Sequence, residues 1–174
     1  LLLKLINDIL ELSRIESGYM SFSFKRCKVR ELIDDIYMTH QVLIASHLDF
    51  LKEMDDTPLE INVDRERLIQ VLTNFLNNAC KFTETGYIKL GYSYLPDEGN
   101  VQIYVEDTGR GIPREEQRMI FSRFYKQNEF SQGAGLGLSI CQVIIEKRGG
   151  RIDLKSEVGK GSRFTVILPC RVVS

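Results

Sequence analysis

The sequence has no tryptophan and only two histidines, four prolines and four cysteines among its 174 residues. Cys27, Cys80, Cys141 and Cys170 stand far apart, so neither a zinc site nor a disulfide framework is indicated. No apolar run approaches the roughly 20 residues that span a bilayer, and the first residues do not resemble a secretory signal. These absences predict a soluble domain of a reducing, cytoplasmic compartment.

No sign of charge dominates either, because 23 lysines and arginines face 24 aspartates and glutamates, for a net charge of -1. Without a positive field, nucleic acid is not expected as a partner. The hydrophobic content of 43% is sufficient for one sizeable core. Because the chain opens at Leu1 inside an apolar pattern and without a helix cap, we expect it to be cut from a longer protein.

Leucines and isoleucines at helical spacing open the chain and predict a bundle helix, buried on more than one side, that ends near Gly18. A domain boundary is expected there, between residues 1–18 and 19–174. The alternation over Tyr19–Lys25 predicts a strand, and the apolar spacing over Val29–Leu48 predicts a second helix. His40 and His47 fall near the apolar side of that helix, so both are interpreted as packed structural residues.

The rest of the chain alternates between helical and extended patterns. Asp64 is a helix cap, and Asp97-Glu98-Gly99-Asn100 is a turn between two alternating segments, which predicts an antiparallel hairpin. The predicted elements are helices at Asp64–Phe82, Arg114–Phe124 and Leu138–Lys147, short strands on either side of Asp55–Pro58, and strands around Ile88–Tyr94, Val101–Val105, Ile152–Leu154 and Phe164–Leu168.

One line of the Asp64–Phe82 helix is polar. At 100° per residue, Arg67, Asn74, Asn78 and Lys81 lie within about 40° of each other. Asparagine is a poor helix former, so this stripe is either a solvated face or a functional surface. As a functional surface, its carboxamide oxygens suit a Mg²⁺ already bound by phosphates, and its lysine suits a phosphate oxygen.

Asp107 ends an inward-facing row that begins with Val101, Ile103 and Val105, because strand side chains alternate with period two. Its side chain therefore points where a core residue is expected. It is either a turn residue that caps its own backbone or a carboxylate that accepts a hydrogen bond from an amine such as that of adenine.

Glycines at 133, 135 and 137 precede the Leu138–Lys147 helix, where backbone N–H groups could face a phosphate. Alone, this run equally describes a flexible hinge. It fits neither the dinucleotide fingerprint, which needs glycine at Leu138, nor the Walker pattern, because Gly159-Lys160 is followed by Gly161.

In order, four segments resemble the N, G1, F and G2 boxes of sensor histidine kinases: residues 74–83, 107–113, 121–124 and 133–138. The opening helix, through Leu12-Ser13-Arg14-Ile15-Glu16-Ser17-Gly18, resembles the end of that family's dimerisation and phosphoacceptor domain. The resemblance implies an α+β fold of the Bergerat type. This is a two-layer α/β sandwich with a mixed sheet covered by helices on one face.

Carried over by position, the resemblance implies that Asn78 coordinates Mg²⁺, that Asn74 supports the metal and phosphate site, and that Lys81 contacts phosphate. These three would form the catalytic set, and Asp107 would bind the adenine amine of ATP. The other implied ATP-binding residues shape the adenine pocket, anchor a lid or let it close: Gly109, Gly111, Ile112, Phe121, Phe124, Gly133, Gly135, Leu136, Gly137 and Leu138.

The implied activity is transfer of the ATP γ-phosphoryl group to a histidine on a helix upstream of Leu1, for relay to a response-regulator aspartate. A homodimer is implied for the full protein. The resemblance does not decide whether the full protein is anchored in the inner membrane. In related ATPases a glutamate activates water at the position of Asn74, which cannot act as a base, so slow hydrolysis is expected. Neither His40 nor His47 is followed by the acidic residue of the acceptor motif, so the acceptor is expected outside this chain.

Three alternatives remain at this stage. A nucleotide-sensing pseudokinase of the same fold is favoured only by Ser122-Arg123, which departs from the acidic residue and proline usual in the F box. A dimerising scaffold would bind no nucleotide. A water-directed ATPase is opposed by Asn74.

Overall fold

The computed structural model describes residues 2–122 and 137–174. In chain order the elements are α1 (Leu2–Glu16), β1 (Lys25–Lys28), α2 (Val29–His40), β2 (Asp49–Glu53), β3 (Leu59–Val63), α3 (Arg65–Phe82), β4 (Tyr87–Leu95), β5 (Asn100–Asp107), α4 (Arg114–Gln117), α5 (Gly137–Lys147), β6 (Arg151–Glu157), β7 (Gly161–Pro169) and β8 (Arg171–Val172). Within these ranges, no helix is long and apolar enough to cross a membrane.

Five strands form the main sheet, in the order β2-β4-β5-β7-β6. β2 runs parallel to β4, whereas the other neighbours pair antiparallel, so the sheet is mixed. The predicted hairpin is confirmed, with Ile88 opposite Asp107 and Leu95 opposite Asn100. A smaller antiparallel sheet has the order β1-β3-β8.

The core lies between one face of the main sheet and the helices. Ile88, Leu90, Ile103 and Val166 are fully buried on that face, and Phe75 from α3 is fully buried against it. Complete burial of such a side chain contributes about 1.5–3 kcal/mol relative to exposure. The predicted α/β sandwich is confirmed.

The long helix α3 forms as the sequence predicts. The Asp64 carboxylate accepts from the backbone N–H of Arg67 at 3.3 Å, which satisfies one of the donors left open at a helix start. The helix ends at Phe82, because Thr83 is extended, with φ -109° and ψ 115°. Its apolar face includes Leu72 and Phe75, so the polar line of asparagines faces away from the core.

The predicted strand at Tyr19–Lys25 is wrong, since β1 occupies Lys25–Lys28 instead. Side chains hold the preceding segment. The rings of Phe22 and Phe24 stack with centroids 5.7 Å apart, and the Ser23 N–H donates to the Asp64 carboxylate at 2.9 Å. An alternating pattern can therefore reflect two stacked rings, of which Phe22 packs on the core, rather than pairing of a strand.

The predicted Val29–Leu48 helix is too long, because α2 ends at His40 and turns follow. Ile44 and Leu48 are still buried, so the apolar spacing continues into a non-helical segment that packs on the core. His40 is buried and its Nδ1 lies 2.9 Å from the Ile36 carbonyl, as expected of a structural histidine. His47 is exposed, so its packed interpretation is wrong.

The predicted Arg114–Phe124 helix is reduced to the single turn α4, and Phe124 lies outside the described residues. The Gln117 side chain donates to the carbonyls of Ile112 at 2.8 Å and Ser156 at 3.2 Å, which fixes the end of this turn to β6. After this turn, backbone hydrogen bonds from Met119 to Glu116 and from Ser122 to Met119 continue the chain as further turns.

The opening helix α1 ends at Glu16, and Gly18 follows with φ 74°, as predicted. Only its Leu12 is buried, so the expectation of burial on more than one side is not met within this chain. Five of its apolar side chains are exposed, namely Leu2, Leu3, Ile6, Ile9 and Leu10. The domain boundary after residue 18 stays a prediction.

Candidate functional site

The two asparagines of the polar line lie one turn apart on α3 and are half-buried. Asn78 Nδ2 donates to Asn74 Oδ1 at the long distance of 3.5 Å. Asn74 also lies against α5, because a β-carbon added to Gly137 would be 2.4 Å from Asn74 Nδ2. The carboxamides and the first described turn of α5 therefore form one polar surface.

The two ends of the polar line have different surroundings. Lys81 is exposed near the end of α3, with Nζ 5.8 Å from the ring centroid of Phe82. Arg67 instead pairs with Glu11 of α1, and Gln70 Nε2 donates to the same carboxylate at 2.8 Å. The arginine at the start of the line therefore holds α1 on α3.

Asp107 ends β5 on the core side of the sheet and is only 8% exposed. Its Oδ1 accepts from the Gly109 N–H at 2.8 Å, so it does cap its own turn. Burial raises the pKa of this carboxyl above its usual value, and nearby Glu106 raises it further, whereas the N–H groups of Gly109 and Ser162 and the Thr83 side chain lower it. Both sequence interpretations of Asp107 are compatible with this geometry.

The loop after Asp107 is fixed from two sides. The Arg110 N–H donates to the Phe82 carbonyl at 3.3 Å, and its guanidinium lies 4.4 Å from the Phe82 ring centroid. On the other side, the Gly159 N–H donates to the Arg110 carbonyl at 2.9 Å, and the Ile112 N–H donates to Ser156 Oγ at 2.8 Å. The loop thus joins the end of α3 to the β6–β7 turn.

Space restricts two positions of this loop to glycine. A β-carbon on Gly109 would lie 2.5 Å from the Phe82 carbonyl oxygen and 2.8 Å from Asp107 Oδ1. Gly111 has φ +73°, and a β-carbon there would lie 2.1 Å from the Glu157 carbonyl oxygen. The backbone therefore approaches Asp107 and β6 more closely than any other residue allows.

The remaining candidate residues form an apolar border. Ile112 is buried, and Leu138 is half-buried against the core. Phe121 is also half-buried, and its ring meets Phe164 edge-on at 6.3 Å, while Phe164 stacks on Phe75 at 5.1 Å. The other candidates, Phe124, Gly133, Gly135 and Leu136, lie outside the described residues.

Sequence reasoning gave no role to Thr83, although it is the last residue of the N box. It is 4% exposed, and a β-carbon on Gly109 would lie 3.0 Å from its Oγ1. The available signal for this position was a hydroxyl residue directly after a helix that ends beside a glycine-rich loop. Nothing in the sequence indicated that the loop folds back onto it.

A metal ion would have few protein ligands here. Over residues 2–122 and 137–174, no group of three or more histidine, cysteine or acidic side chains could hold one. Asn74 and Asn78 offer neutral carboxamide oxygens, which are hard ligands but carry no charge. This donor set fits Mg²⁺ that arrives with phosphates and does not fit a free ion.

The model of the histidine kinase-, DNA gyrase B-, and HSP90-like ATPase family matches residues 63–172. Sensor histidine kinase RcsC of Escherichia coli strain K12 is 40% identical over 176 residues, which cover 97% of this chain and 18% of RcsC. Sensor protein SrrB of Staphylococcus aureus strain NCTC 8325 is 32% identical over 180 residues, covering 95% of this chain and 29% of SrrB. The chain thus spans less than a third of these curated relatives.

Solved structures resemble most or nearly all of the chain. Full-length ShkA in complex with AMPPNP matches with a TM-score of 0.89 at 29% identity, over 99% of this chain and 36% of ShkA. The nucleotide-free catalytic domain of histidine kinase ThkA matches with a TM-score of 0.74 at 35% identity, over 84% of this chain and 95% of that domain.

Proposed function

This chain belongs to the family of histidine kinase-, DNA gyrase B-, and HSP90-like ATPases, and we propose that it is the ATP-binding catalytic domain of a sensor histidine kinase. The observation that carries the proposal is the contact between Asn74 and Gly137, which joins the carboxamide line to α5. The AMPPNP bound to the similar ShkA supports ATP as the ligand.

The nucleotide base is assigned to the pocket between the end of α3 and the loop after β5. Asp107 accepts a hydrogen bond from the exocyclic amine of adenine, and Ile112 provides an apolar contact. Gly109 leaves the space beside Asp107 Oδ1 open for the base, and Gly111 lets the loop lie against Glu157 of β6. An ionised, buried carboxylate selects an amine donor over a carbonyl acceptor.

The phosphates are assigned to the other end of the site. Lys81 contacts a phosphate oxygen, while Gly137 and Leu138 place backbone N–H groups of α5 toward the phosphates. Asn78, supported by Asn74, would hold Mg²⁺, which when bound neutralises the charge that develops on the phosphates. Phe121, whose ring meets Phe164 edge-on, is proposed as an anchor of the lid. The same role is proposed for Phe124, and lid closure for Gly133, Gly135 and Leu136.

The reaction is transfer to a protein histidine rather than to water. An imidazole nitrogen forms the new bond to the γ-phosphorus, and the bond from that phosphorus to the ADP oxygen breaks. Asn74 cannot take a proton from water, so the site lacks a general base at that position. We assign the acceptor histidine to a helix upstream of α1, and a response-regulator aspartate as the next acceptor.

The full protein is proposed to be a homodimer through α1. The exposed side chains of Leu2, Leu3, Ile6, Ile9 and Leu10 give this helix an uncovered apolar surface. A second copy of the helix would bury it in a bundle. The named relatives, which are a sensor histidine kinase and a sensor protein, do not favour the pseudokinase alternative.

Calorimetric titration with a non-hydrolysable ATP analogue, with and without Mg²⁺, tests nucleotide binding by this chain. We expect saturable, Mg²⁺-dependent binding that is lost in Asp107→Asn while the fold is kept. A folded chain that binds no analogue would contradict the proposal. A longer protein that includes the upstream helix then tests transfer, by incorporation of acid-labile phosphate from ATP.

A further inference from the structure

Thr83 presents a buried polar group that the fold does not use. Its Oγ1 is inaccessible to solvent and has no hydrogen-bond partner of normal geometry among the described residues. A buried hydroxyl without a partner costs stability, so a fold-stabilising role does not explain it.

The hydroxyl lies where the proposed base pocket closes. A single point, the β-carbon position of Gly109, is 2.8 Å from Asp107 Oδ1 and 3.0 Å from Thr83 Oγ1. Because Gly109 has no side chain, nothing separates the hydroxyl from the carboxylate at that point. A hydroxyl hydrogen rotates about its C–O bond, so this group can donate once the carboxylate is fixed by a ligand.

The groups around Asp107 also place the Thr83 hydroxyl beside its carboxylate. The Thr83 side chain lowers the pKa of the carboxyl, although no hydrogen bond of normal geometry joins the two groups. Burial and Glu106 act in the opposite direction. The residues directly opposite Asp107 are uncharged, namely Ile88 on β4 and Ser162 on β7.

We infer that Thr83 is a positioning residue of the nucleotide site, whose hydroxyl orients the Asp107 carboxylate and donates to it when adenine is bound. The inference rests on the proposed contact between Asp107 and adenine. Thr83 touches neither phosphate nor metal in this assignment and acts only through the carboxylate.

Thr83→Val tests the inference, because valine keeps the shape and removes the donor, and Thr83→Ser is the matched control that restores it. Affinity for the non-hydrolysable ATP analogue is measured by calorimetry across acid to neutral pH. At neutral pH we expect Thr83→Val to weaken binding about fivefold, the size of one hydrogen bond. On acidification, the affinity of Thr83→Val should begin to fall at a higher pH than the affinity of the natural chain, because the Asp107 carboxylate has lost a donor. The affinity of Thr83→Ser should follow that of the natural chain.

A role in packing alone predicts a different result. Equal weakening at every pH, with the acid midpoint unchanged, would overturn the inference, as would a Thr83→Ser variant that behaves like Thr83→Val. Titration of the Asp107 carboxyl by carbon NMR in the ligand-free chain separates this test from the proposed function. If the natural chain binds no nucleotide, the proposed function fails. The Thr83–Asp107 interaction fails separately if Thr83→Val leaves the ligand-free Asp107 pKa unchanged, because the Thr83 side chain lowers that pKa before any ligand binds.

Discussion

Gly137 lies against the carboxamide of Asn74, so close that a single added carbon would meet Nδ2 at 2.4 Å. Gly137 belongs to the glycine run before α5, and Asn74 to the polar line of α3. Their contact joins two motifs that are separated by more than sixty positions in the sequence. The spacing between the two helices at this point is therefore set by the absence of a side chain at residue 137.

Gly137→Ala should push the Asn74 carboxamide out of place and weaken Mg²⁺-dependent analogue binding by about tenfold, which corresponds to roughly 1.4 kcal/mol. The thermal midpoint should change little, because alanine also favours the helix. Calorimetry measures the affinity of the single variants and of Asn74→Ala/Gly137→Ala. If the methyl group acts through Asn74, the two changes are non-additive, and full additivity would contradict this explanation.

Asn78→Ala should remove most of the Mg²⁺ dependence of analogue binding while leaving the metal-free affinity almost unchanged. The physical reason is that its carboxamide oxygen is the proposed protein ligand of the metal. Asn77→Ala is the matched control, since this neighbour is exposed on the same helix. Calorimetric titrations at several Mg²⁺ concentrations measure this dependence in both variants. The same Mg²⁺ dependence in Asn78→Ala and Asn77→Ala would exclude Asn78 as the ligand.

Much of this architecture could be predicted because its signals are local. The cap at Asp64, the alternation on either side of Gly99 and the glycine after α1 each specify an element without reference to the rest of the chain. The inward direction of Asp107 followed from strand periodicity alone, and its burial agrees. Those features therefore needed no tertiary information.

The wrong predictions have tertiary causes. In the segment before β1, Phe22 packs on the core and Phe24 stacks on it without strand pairing. The helix α2 ends early although Ile44 is still buried. Arg67 shares the polar line with Asn74, yet a helix far away in the sequence binds it. Periodicity reports which face of a segment is buried, but it does not report what covers that face.

Asp107→Asn should change how stability depends on pH. The pKa of Asp107 is raised from 3.8 in the folded chain, so on raising the pH the unfolded state ionises first. The free energy of unfolding of the natural chain therefore falls relative to that of the variant as the pH rises from about 3.8 through the folded-state pKa of Asp107. Above that pKa the difference between the two free energies stays constant. Urea unfolding of both proteins at several pH values measures these free energies. A natural chain that gains stability relative to the variant as the pH rises would refute the prediction.

Gly111→Ala should destabilise the fold by about 2–4 kcal/mol, because it combines an unfavourable backbone angle with overlap on the Glu157 carbonyl oxygen. Gly99→Ala is the matched control. Gly99 has φ +66° but no atom within 4 Å of the added carbon, so it should lose only the backbone contribution of about 1–2 kcal/mol. Free energies of unfolding in urea compare the two, and equal losses would mean that the close approach to β6 is relaxed at little cost.

Glu11 holds α1 on α3 through Arg67 and Gln70, and both members of the ion pair are mostly buried, with 17% and 29% of their side chains exposed. Glu11→Gln and Arg67→Gln should each increase hydrogen exchange in α1 without affecting α3. Their coupling energy in a double-mutant cycle should be about 1–2 kcal/mol, since a charge-assisted hydrogen bond is lost. Lys4→Gln, on the same helix, is the control. A coupling energy near zero would mean that the ion pair does not hold the helix, which would leave the apolar packing of Leu12 and Ile15 and the Gln70 hydrogen bond to do so.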